Sequence, residues 1–139
     1  MKKIKVIMLG LLLTSFAALS LSAETWDQYL NRVNIMSDAV IQAMANPAFR
    51  IQDSNDRIGA VWATHEWCFW AYVNIRDNYP NLPQQEKNKY ALFAEIHRVE
   101  VNKLEEIIYR FSTSTFNNIV DRYNYWIDHL KNGGTITFR

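Results

Sequence analysis

The sequence predicts an all-α fold, an antiparallel up-and-down four-helix bundle, and three observations carry that expectation. Apolar residues recur at intervals of three and four along four separate segments. Helix-stopping residues fall between those segments. Nothing in the chain indicates a sheet. A less regular helical domain with the second helix at its centre is the alternative arrangement.

Residues 1 to 23 come first. Lys2, Lys3 and Lys5 precede an apolar run from Val6 to Leu13, and the chain becomes small and polar toward Ala23. This is the plan of a secretory signal peptide, and the apolar run is too short for a membrane span, which needs about 20 such residues. A cut after Ala23 is expected, with one after Ser20 competing. No cysteine follows the run, so a lipid anchor is not expected. The expected location is the periplasm or the medium, as a single domain over residues 24 to 139.

Removing three lysines from the 15 basic residues leaves 12 against 14 acidic ones, a formal charge of −2. That balance argues against a nucleic-acid or acidic-lipid footprint. Cys68 is the only cysteine, so no intrachain disulfide is available, and its apolar neighbours favour burial.

The first helix is expected from Thr25 to Ala45, with Trp26, Tyr29, Leu30, Val33, Met36, Val40, Ile41 and Met44 inward and Asn31, Arg32, Asp38 and Gln42 outside. Asn46-Pro47 stops it. After a connector, Asp53, Ser54, Asn55 and Asp56 offer caps for a second helix reaching Asn78. Its stripe is Ile58, Val61, Trp62, His65, Phe69, Tyr72 and Val73. Tyr79-Pro80-Asn81-Leu82-Pro83 breaks the chain, with Pro83 suited to the first turn of the third helix. That helix should reach Phe111 with Tyr90, Phe93, Ile96, His97, Val101, Leu104, Ile107, Ile108 and Phe111 inward. Ser112-Thr113-Ser114-Thr115 connects and caps the fourth, which buries Phe116, Ile119, Val120, Tyr123, Trp126, Ile127 and Leu130 and ends at Gly133. The last residues are expected to form a loose tail.

The block Trp62 to Tyr72, WATHEWCFWAY, is the most informative stretch because Trp67 and Trp70 fall outside its helix's stripe. With Ala60, Ala63 and Ala71 they give a second apolar face, which reads as a partner-binding surface or as a helix wrapped on all sides.

In an antiparallel hairpin, residues at one level have indices that add to a constant. Joining Asn78 to Gln84 puts Arg76 opposite Glu86, an expected ion pair at the open end, and His65 opposite His97. Carrying the count through the other connectors brings Met36 and His129 near the same height. A copper, zinc or haem centre on His65, His97 and Met36, with Glu100 one turn below, is one reading. Core histidines satisfied by neighbouring polar groups are the plainer one. The sequence holds no His-Glu-x-x-His, no paired Glu-x-x-His, no Cys-x-x-Cys-His and no glycine-rich phosphate loop. Glu66 lies beside tryptophans but has no partner carboxylate placed by spacing. No enzyme activity and no cofactor are therefore expected. The leading expectation is an exported protein that binds a protein partner through Trp67 and Trp70, as an inhibitor, immunity-type protein, adaptor or homodimer. The metal- or haem-binding bundle is the alternative.

Overall fold

A computed structural model describes residues 24–46 and 54–138. The signal-peptide expectation and most of the first connector lie outside the described residues. Four helices follow in order, α1 (Trp26–Ala45), α2 (Asn55–Asn78), α3 (Gln84–Ile108) and α4 (Thr113–Lys131), and no strand occurs among the described residues.

Their ends follow from side-chain chemistry. Thr25 and Gln28 form a reciprocal capping box, each side chain accepting from the other's backbone N–H at 3.1 and 3.0 Å. Ser54 accepts from the Arg57 N–H, and Ser112 from the Thr115 N–H, so both serine caps relieve donors that the first turn leaves unpaired. Pro83 stands one place earlier than expected, as the cap of α3 rather than within its first turn. α3 also stops three residues short of Phe111, because Arg110 and Phe111 close tighter turns onto Ile107 and Ile108. Gly133 takes a φ of 97° and the Gly134 N–H reaches back to the His129 carbonyl, which ends α4 as a glycine cap does.

α2 is the central helix. It packs broadly against α3 and α4 and more lightly against α1, while the remaining helix pairs meet sparingly. The bundle is thus the version in which one helix is wrapped by the others. Residues 58 to 65 of α2 are all buried, as are Trp67, Cys68, Ala71 and Tyr72. Small residues let the neighbours come close: a Cβ on Gly59 would stand 2.7 Å from the Arg122 Cβ and 2.9 Å from the Tyr123 nitrogen of α4. Cys68 is a free, buried thiol.

Several expectations are corrected here. Trp67 is 1 % exposed, held edge-on by Tyr29 with the Arg32 guanidinium 4.8 Å from its ring centre, so it belongs to the α1–α2 core. Arg32 was expected outside the stripe and is instead buried. It donates to both Glu24 carboxylate oxygens and to the carbonyls of Leu130 and Gly134. Each of its donors to these groups is met, which is what makes a buried guanidinium tolerable. The residues after Gly133 are not a loose tail: Ile136 is buried, its N–H meets the Met36 sulfur at 3.3 Å, and His129 Nε2–H donates to the Thr135 carbonyl. Arg76 does not pair with Glu86. Its guanidinium bonds the adjacent Asp77, and Glu86 pairs with Lys89 one turn along α3. On the outer flanks of their stripes, Ile41, Ile96 and Ile107 are more than one-third exposed.

Candidate functional site

The light packing of α1 leaves a cleft between α1 and α3 with α2 as its floor. Its volume is about 350 Å³, and it is lined by Asn34, Ser37, Asp38 and Ile41 of α1, Tyr72 of α2, and Phe93, Ile96 and His97 of α3. A concave, largely apolar site with a few convergent polar groups is the usual form of a binding pocket, and this volume is at the lower end of the common range of about 300–1,000 Å³.

The floor is aromatic. Tyr72 meets Phe93 edge-on at 5.4 Å and lies nearly parallel to Tyr90 and to His97, with ring centres 5.9 Å away in each case. Its hydroxyl donates to Asn34 Oδ1 at 2.7 Å. Burial, first of all, raises the Tyr72 pKa; hydrogen bonding with Ser37 opposes this, and nearby negative charge including Asp38 adds to it. The phenol therefore stays protonated and donating at neutral pH.

Below the polar wall runs a hydrogen-bonded chain from α1 through α3 to α2. Ser37 Oγ lies 2.7 Å from His97 Nε2, and His97 Nδ1 lies 2.9 Å from His65 Nδ1. Both rings are fully buried. Two proton arrangements satisfy the chain: His65 donating to His97, which donates to Ser37, or the reverse. In either, both imidazoles are neutral and His65 Nε2 is the end without a partner. Burial lowers the His97 pKa to about 4, and burial together with the His97 charge lowers that of His65 to about 3.

The order serine, histidine, orienting group has the form of a nucleophile and its base. Its electrostatics do not suit that work. The orienting member is a neutral imidazole and not a carboxylate, and a base with a pKa near 4 is far below the neutral range in which a general base is most effective. The chain fits a structural role better, joining three helices through two buried hydrogen bonds.

The expected register does bring His65 and His97 together. It does not recruit the other groups once placed beside them. The Met36 sulfur is taken by the Ile136 N–H, Glu100 pairs with Lys103, and His129 packs against Trp126 and bonds Thr135. Among the described residues no three His, Cys, Asp or Glu side chains are grouped to hold a metal ion. Trp70 is half-buried against the core, edge-on to Phe69, with its indole N–H turned out of solvent.

Sequence reasoning missed Asn34, Ser37 and Asp38. They stand with Ile41 at helical spacing on one face of α1, beside its apolar stripe. That spacing was the available signal, and it gains meaning only when α1 is set beside Phe93, Ile96 and His97 of α3.

No protein-family model, no curated protein and no solved structure matches this chain. Among the described residues no helix is long and apolar enough to cross a membrane.

Proposed function

We propose that this protein is exported, has no catalytic activity, and binds a protein partner that docks on the α1–α3 cleft. The observation that carries the reading is the apolar rim. Ile41 and Ile96 line the cleft and are each 41 % exposed, and Leu92 and Val99 continue the exposed stripe along α3. A small ligand would need only the pocket. A stripe running beyond it on both sides is surface that a partner chain would cover.

The partner surface therefore moves from Trp67 and Trp70 to Ile41 and Ile96. The low basicity of the buried histidines supports the absence of serine-type catalysis. Inhibitor, immunity-type protein and adaptor differ in what the partner does; a second copy of the chain gives the homodimer.

Site-specific photo-crosslinking in the cells that make the protein tests this. A crosslinker at position 96 or 41 should give one discrete adduct, and one at Asn118, exposed on α4, should not. Ile96→Asp should remove the adduct formed from position 41 while leaving the melting temperature within a few degrees. Equal adducts from position 118, or none from the cleft, would sink the proposal.

A further inference from the structure

The chemistry of the cleft restricts what part of a partner enters it. We infer that its occupant is an arginine side chain of the partner, stacked on the part-buried Phe93 ring with its guanidinium at Asp38. This rests on the cleft being the docking site.

Charge complementarity is the first ground. Asp38 is the only charged residue among those lining the cleft, which include no lysine or arginine, and the neighbouring Arg98 is already paired with Glu95 on α3. The second ground is the supply of acceptors. Asn34 Oδ1 takes one bond from Tyr72 and has a second lone pair, and Asn34 lines the cleft beside Asp38. Five donors in a planar fork match a carboxylate and further acceptors at once, which a single ammonium does not. The third is shape. Ile41 and Ile96 flank the entrance where an aliphatic stem would lie, and the part-buried Phe93 ring offers an aromatic surface for the guanidinium.

The test uses the full protein with Nα-acetyl-arginine methylamide as probe, read by methyl shifts of Ile41 and Ile96. Saturable shifts are expected, with the neutral citrulline analogue binding about tenfold or more weakly and the lysine analogue in between. Asp38→Asn, a change at an exposed position, should bring arginine and citrulline to parity without altering the melting temperature. Citrulline binding as well as arginine, undiminished arginine preference in Asp38→Asn, or a lysine analogue equal to arginine would each overturn the inference. Absence of any shift while crosslinking from position 96 persists would discard the arginine and keep the cleft as docking site. Loss of that crosslink as well would remove both.

Discussion

Trp67 shows how one residue's chemistry is decided by what packs on it. Its ring is closed off by Tyr29 and by the Arg32 guanidinium, so truncation opens a cavity in the α1–α2 core. Trp67→Ala is expected to cost about 3–5 kcal/mol in urea unfolding. Trp70→Ala, at a half-buried ring, should cost less than half as much. A small effect at Trp67 would place it outside the core. Ser37 offers a second test at this scale. Because its histidine is held far below neutral basicity, a fluorophosphonate probe should not label Ser37 at neutral pH, by intact-protein mass spectrometry; stoichiometric labelling would show that the base is stronger than burial makes it. The His65–His97 meeting was legible from hairpin register alone, since both sit mid-stripe on helices joined by a short break. Ser37 was not legible. A serine beside an apolar stripe looks like any solvated position until another helix brings a histidine to it.

Among the elements, α2 carries the least readable pattern and the most consequence. A helix that is buried on all sides has no polar face to fix its orientation, so periodicity finds one stripe and misassigns the rest. Caps were more legible, because Ser54, within a cluster of four candidates, Ser112 and Gly133 act through local geometry that the sequence states directly, although the Thr25–Gln28 box went unread. The ion pair expected of Arg76 and Glu86 failed for the complementary reason: long side chains at a helix end find nearer partners, here Asp77 and Lys89. The approach of α2 to α4 at Gly59 makes a prediction for the pair. Gly59→Ala adds helix propensity but must displace α4 backbone, so thermal melts should show a net loss of about 1–3 kcal/mol. A gain of stability would mean that the two helices are not in close contact there.

The molecule as a whole is held by apolar packing around α2 and by polar ties to α1. Its pH response follows from the buried imidazoles. Both folded-state pKa values are lowered, so below the unfolded value of about 6.5 the unfolded chain takes up protons that the folded chain refuses. Stability is therefore highest above that value and falls as pH drops toward 4, by up to about 1.4 kcal/mol per pH unit for each histidine. Melting temperatures between about pH 7 and about pH 5 should show the decline, and the double variant His65→Leu, His97→Phe should flatten it. An unchanged slope in that variant would assign the response elsewhere. Arg32 is the other tie, and Arg32→Ala, which leaves the part-buried Glu24 without this cation, should cost about 3 kcal/mol or more in denaturant unfolding.

The contacts of Arg32 and Met36 also join the two ends of the domain. Arg32 donates to the carbonyls of Leu130 and Gly134, and the Met36 sulfur meets the Ile136 N–H, so α1 is completed by residues about a hundred positions later in the chain. Glu24 can balance the Arg32 charge locally, but the two carbonyl acceptors that complete its hydrogen bonding come from the far end of the domain, so closing these contacts spans nearly its whole length. The final turn of α4 and the residues after it thus act as a latch that fastens α1 to the rest of the domain.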